Sequence, residues 1–206
     1  MMSARRTGLA AVLGITLAAC GGASDAPATD QPPAVQPPAS QGATAGGGTI
    51  TEIHAGRGGS PHIKSEWRID NATVSITYGR PSLRGRTVGA TVDPMQGQVW
   101  RLGADEATTL SSDRPLNIGD TRVPAGDRTL WVLATGDAWQ LIVNEETGQW
   151  GTAYDPSRDL ARIPMNVTQA TAPTEQLTIS IRDGQLVVGW GPTVATVPLS
   201  VAAEAP

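Results

Sequence analysis

Leu177-Thr178-Ile179-Ser180-Ile181-Arg182 alternates apolar with polar residues at period two, stops at Asp183-Gly184, and resumes as an apolar run from Gln185 to Trp190. In an extended chain successive side chains point to opposite faces, so this alternation buries one face of a strand and wets the other. Asp-Gly supplies the positive backbone angles that a two-residue hairpin turn needs. The segment reads as an antiparallel hairpin, and the rest of the chain follows its pattern. Thr73-Val74-Ser75-Ile76-Thr77-Tyr78 repeats the alternation. Leu116 to Val123 reads as a hairpin turning at Gly119-Asp120, and Arg128 to Ala134 with Trp139 to Asn144 as another, turning near Gly136-Asp137. The strands of this last hairpin carry apolar residues on both faces, as central strands do. Met165 to Ala170 and Val194 to Ser200 are further expected strands. Gly and Pro recur throughout and leave little room for helix. Short strands with turn signals roughly every eight to twelve residues predict an all-β domain. A β-sandwich is the favoured architecture, with a closed antiparallel barrel as the alternative.

The pattern spans residues 60–201, a common size for one core. Before it, residues 20–59 are Ala, Pro, Gly, Gln, Ser and Thr with few large apolar side chains. Such a segment buries too little surface to offset its ordering entropy, so it is expected to be a disordered tether. Residues 202–206 are expected to be a disordered tail.

The first 19 residues have the zones of a secretory signal. Arg5 and Arg6 make the positive part, and Gly8 to Leu17 is an apolar run too short to span a bilayer. Leu17-Ala18-Ala19-Cys20 resembles the lipobox of bacterial lipoproteins, which implies cleavage before Cys20 and lipid on its sulfur. Cys20 is the only cysteine, so the expected mature protein has no free thiol and no disulfide. The expected location is the cell envelope, with membrane contact through the lipid on Cys20. Gly21 rather than Asp follows, which favours the periplasmic face of the outer membrane if the host has two membranes.

The full chain has 15 basic and 19 acidic residues, a formal charge of −4; without Arg5 and Arg6 the balance is 13 to 19. A net acidic chain argues against nucleic acid as a partner.

Four stretches carry a family resemblance. They are Ile76-Thr77-Tyr78-Gly79-Arg80-Pro81-Ser82-Leu83-Arg84-Gly85-Arg86, Val99-Trp100-Arg101-Leu102-Gly103-Ala104-Asp105-Glu106-Ala107-Thr108-Thr109, Val123-Pro124-Ala125-Gly126, and Trp139-Gln140-Leu141-Ile142-Val143-Asn144 leading to Gln149-Trp150-Gly151. Together they resemble the DUF2911 type, a family of secreted bacterial proteins classified only as a domain of unknown function. The resemblance runs from about Ser60 to Pro198. Asn is usual in that family where this chain has Asp105, and Thr where it has Leu102, which weakens any role resting on the Asn amide. The resemblance implies the extent of the domain and no reaction.

Arg80, Arg84, Arg86, Arg101, Asp105 and Glu106 are the densest polar group. Arginine forks suit anionic groups, with Glu106 as orienter or base, and an Arg101–Glu106 pair would suit a bidentate contact. The competing reading is an ion-pair network that ties loops to the sheet. Trp131, Trp139 and Trp190 fall within apolar strands and are expected in the core. Trp150 and Tyr154, in a Gly- and Pro-containing stretch, are the better candidates for an exposed stacking platform, with simple loop packing as the competing and favoured reading. The expected ligand-binding residues are Tyr78, Arg80, Arg101, Glu106 and Trp150. His54 falls in the tether and His62 at the domain edge, and with only two histidines and no free cysteine no metal site and no cofactor are expected. No Gly-x-Ser-x-Gly nucleophile elbow occurs, and a Ser-His-Asp triad would need His62. Asp105, Glu106, Asp155 and Asp159 could pair as glycosidase carboxylates do.

Three functions follow as expectations. The first is a non-catalytic envelope module binding a small ligand, a glycan or another protein. The second is a carboxylate-dependent hydrolase acting on envelope glycans. The third is a structural lipoprotein without a small-molecule site.

Overall fold

The computed structural model describes residues 47–203. Cys20, the expected leader 1–19, most of the expected tether and residues 204–206 lie outside the described residues. Eleven strands make up the fold: β1 (Thr49–His54), β2 (His62–Ile69), β3 (Ala72–Gly79), β4 (Val99–Trp100), β5 (Thr108–Ser112), β6 (Leu116–Ile118), β7 (Thr121–Val123), β8 (Gly126–Thr135), β9 (Ala138–Asn144), β10 (Asp159–Arg182) and β11 (Gln185–Val201). They form one antiparallel sheet in the order β1-β2-β3-β5-β8-β9-β10-β11-β6-β7, with β4 beside β8. The path does not close on itself. The all-β, sandwich-like reading therefore holds, and the closed barrel is not adopted.

The three expected hairpins form as read. Asp183 and Gly184 take φ of 51° and 69° and close the β10–β11 turn, where Arg182 faces Gln185. Ile118 faces Thr121 around Gly119, and Thr135 faces Ala138 around Gly136. One hairpin was hidden in the sequence because its turn has no glycine. Asp70 and Asn71 take φ of 44° and 63° between β2 and β3, a conformation that short Asx side chains tolerate.

Two expected strands, Met165 to Ala170 and Leu177 to Arg182, prove to be one strand of 24 residues. Up to Met165, β10 pairs with β9; from Asn166 it pairs with β11. Register shifts between Gln169 and Thr178 mark bulges, which bend a strand and increase its twist. The bend lets one continuous sheet fold over. Leu177, Ile179 and Ile181 of β10 thereby share one buried cluster with Val74 and Ile76 of β3 and Leu110 of β5.

Strand β8 is apolar on both faces, as expected. Leu130 and Val132 enter the main core, while Trp131 joins Ala107 and Ile142 in a second cluster. Trp131, Trp139 and Trp190 are all buried, as their strand positions predict. Each fully buried large apolar side chain contributes roughly 1.5–3 kcal/mol, which lets the core hold without staples.

The domain boundaries need correction at both ends. Residues 49–54 are not tether: β1 pairs with β2 from Thr49–Glu66 to His54–His62. Backbone pairing to a neighbouring strand, together with the β-branched Thr49-Ile50-Thr51, holds a segment whose glycine-rich flanks read as spacer. Gly48 runs so close over Trp67 that any Cβ there would collide with the indole. At the other end Ala202 is buried, and its N–H donates to Pro115 O at 2.8 Å, so the tail starts later than residue 202.

Candidate functional site

The Trp100–Thr108 segment leaves β4 and returns as β5 through a compact loop. Trp100 Nε1 donates to Gly103 O at 3.2 Å, and Thr108 Oγ1 donates to Leu102 O at 2.9 Å. Leu102 and Asp105 sit at φ of 54° and 61°, left-handed values that non-glycine residues rarely adopt. The loop is then stitched to the one after β9. Glu106 bridges Trp150, Gly151 N–H donates to Asp105 O at 2.9 Å, and Arg101 Nη1 donates to Gly151 O at 3.3 Å. Three of the five expected binding residues, Arg101, Glu106 and Trp150, thus come together from segments some 50 residues apart.

Beside this loop lies a cavity of about 330 Å³ whose wall includes Arg57, Arg84, Arg86 and Arg101. Trp100, Trp190 and Val92 supply apolar lining, and Asp93 is the only acidic residue among the lining residues. Among the described residues no carboxylate forms an ion pair with any of these four arginines. Arg86 is fixed by donating to Leu83 O and Ser82 O at 2.9 and 2.7 Å. Arg84 donates weakly to Gly59 O at 3.4 Å. The Nε of Arg101 is shielded from solvent and has no hydrogen-bond partner. The expected Arg101–Glu106 pair does not form, because the Arg101 side chain turns to Gly151 O.

Tyr78 and Arg80 do not belong to this site. Tyr78 is 2% exposed, and its hydroxyl accepts from Ile179 N–H at 2.9 Å and donates to Ile179 O at 3.4 Å. Arg80 Nε donates to Leu177 O at 3.2 Å, and Leu177 N–H donates to Pro81 O at 3.0 Å. Both side chains satisfy the polar groups along an edge of β10 that no neighbouring strand covers. An uncovered edge invites pairing with other chains, and these contacts seal it. Burial raises the Tyr78 pKa above its ordinary value, against the hydrogen bond from Ile179 and the charge of Arg80.

The remaining expectations divide. Trp150 is exposed as expected, and the guanidinium of Arg57 lies 5.1 Å from its ring centroid. Tyr154 is not part of a platform: its ring packs on Trp131 and its hydroxyl donates to Asp159 Oδ2 at 2.6 Å. Asp159 also accepts from Arg162 and Asn144, and Asp155 caps the turn at Ser157. These two carboxylates are committed to the fold and leave the proposed glycosidase set with Asp105 and Glu106. Histidine was misjudged. His62 is buried, with Nε2 3.4 Å from Asp105 Oδ2 and 3.2 Å from Glu106 Oε2. His54 stacks on it at 4.3 Å. His54 therefore belongs to β1 and not to the tether. A run of β-branched residues before His54 was the available signal.

No curated protein and no solved structure matches this chain. Residues 60–199 match the family described as "Protein of unknown function (DUF2911)", so β1 and His54 precede the matched segment while the arginine pocket falls almost wholly within it. The match spans most of the sequence and nearly all of the described fold, and the chain belongs to the DUF2911 family.

Proposed function

We propose that this protein is a lipid-anchored envelope module that binds a small anionic ligand in the arginine pocket without converting it. One observation carries the reading: four arginines line one cavity, and among the described residues none of their guanidinium groups forms an ion pair with a carboxylate. Four arginines against the single acid Asp93 leave the lining with an excess of positive charge, which in a cleft with low-dielectric walls raises local anion concentration. A structural network would instead neutralise its arginines with carboxylates, as Asp159 does for Arg162. Guanidinium forks favour planar or tetrahedral oxyanions, so the ligand class is a phosphate, sulfate or carboxylate, including an acidic sugar of an envelope glycan. The lipobox-like Leu17-Ala18-Ala19-Cys20 supports the envelope location.

Calorimetric titration of the full-length chain with phosphate, sulfate and glucuronate tests this. At least one should bind with an affinity that falls as salt rises, and Arg57→Ala with Arg84→Ala should abolish it. Both side chains are exposed, so the variant is expected to fold. Absence of binding by all three anions at low salt, in a folded protein, would overturn the reading.

A further inference from the structure

The two histidines and two carboxylates next to the pocket form a constellation that anion binding does not use. Strand pairing puts them there. His54 and His62 are direct register partners across β1 and β2, and His62 faces Gly79 across β2 and β3. A Cβ on Gly79 would lie 2.6 Å from His62 Nε2, so the bare glycine gives the imidazole its space. The ring then presents Nε2 to the Asp105-Glu106 turn at 3.4 and 3.2 Å. Asp105 is oriented in turn by Arg57 N–H, which donates to its Oδ2 at 2.8 Å.

These close approaches are not hydrogen bonds. His62 Nε2 and Glu106 Oε2 are both shielded from solvent and both lack a hydrogen-bond partner. A buried donor or acceptor left unmade is costly, so three polar atoms converging without bonding one another call for something between them. Nitrogen and oxygen ligands about 2.0–2.1 Å from a tetrahedral zinc lie about 3.3 Å from each other. The 3.2 Å separation of His62 Nε2 and Glu106 Oε2 matches such an edge. One ligand atom from each of His54, His62 and Glu106 lies within 4.8 Å of the others.

We propose that His54, His62 and Glu106 bind a divalent first-row transition ion of the zinc class. Two imidazoles and a carboxylate suit such ions better than calcium or magnesium, which prefer oxygen alone, and leave a fourth position open. His62 and Glu106 are already placed, 3.2 Å apart. His54 is the mobile ligand: its ring stacks on His62 with 17° between planes, so both in-plane lone pairs cannot meet at one ion in that pose. It is exposed and follows a register irregularity in β1. Binding turns it out of the stack and releases the hydrogen bond that Gly56 N–H donates to its Nδ1 at 3.1 Å.

The chain has only two histidines, so its imidazole NMR spectrum contains two rings. Zinc added to the full-length protein should shift both rings and saturate at one equivalent, and cobalt should give the visible absorption of a four-coordinate site. His54→Ala and Glu106→Gln should each weaken zinc binding by about tenfold to a hundredfold. Arg84→Ala, which removes a pocket charge, should leave zinc affinity unchanged, so this proposal and the anion reading can fail separately. Movement of only one ring, unaltered affinity in Glu106→Gln, or no binding at millimolar zinc would overturn it.

Discussion

Replacing Tyr78 with Phe removes one oxygen at the seam where the sheet folds over. The phenyl ring keeps its place among Ile76 and its neighbours, so no cavity opens. What changes is Ile179, whose N–H and C=O both meet the Tyr78 hydroxyl, at 2.9 and 3.4 Å. Tyr78 is 2% exposed, so water cannot replace the lost oxygen without opening the seam. A buried polar group left without a partner costs about 1–3 kcal/mol, and the shorter of the two bonds dominates. For a domain of this size each kcal/mol lowers Tm by roughly 2–4 °C, so Tyr78→Phe should melt roughly 2–12 °C below the parent. Calorimetric melting with parallel urea titration measures this, and the urea slope should not change. Anion binding should survive, because the pocket contains no part of Tyr78. A variant that keeps the parent Tm while losing anion affinity would refute the argument and return Tyr78 to the binding site.

Other consequences follow from the same contacts. A chain beginning at Ser60 loses β1, which uncovers the edge of β2, so it should melt lower and associate on size-exclusion chromatography; an equally stable monomer would mean that β1 adds nothing. Asp159→Asn leaves Arg162 and Tyr154 without their carboxylate and should cost about 1–3 kcal/mol in urea unfolding, with zinc and anion binding intact. Tyr154 is pushed up to about 12, by burial first and then by the Asp159 carboxylate, and burial raises Tyr78 as well. A raised tyrosine favours the neutral, folded form, so its contribution is complete below about pH 10 and drains away between pH 10 and 12. The urea midpoint should therefore fall between about pH 10 and 12, and less steeply in a Tyr78→Phe, Tyr154→Phe variant.

The legible parts of the fold were those written in local chemistry. Asp183-Gly184 and the alternation on either side specify a turn type and a register, so that hairpin could be read without its partners. The fold-over of β10 could not, because its bulges depend on which strand each half pairs with. The site divided in the same way. Arginines close in sequence pointed to a pocket, and Arg84, Arg86 and Arg101 line it. Arg57 was missed because it sat in a glycine-rich stretch. Tyr78 and Arg80 were assigned to ligand because a sequence does not show which sheet edges are left open. His54 and His62 are eight residues apart and meet only through the β1–β2 register, which glycine-rich flanks concealed.

The central claim is that the uncompensated arginines hold an oxyanion. An experimental structure of the protein crystallised with selenate, with data collected at the selenium edge, tests it most directly. The account predicts an anomalous peak within hydrogen-bonding reach of Arg84 and Arg101, lost in Arg57→Ala, Arg84→Ala crystals. An empty pocket with its arginines folded onto carboxylates would contradict it.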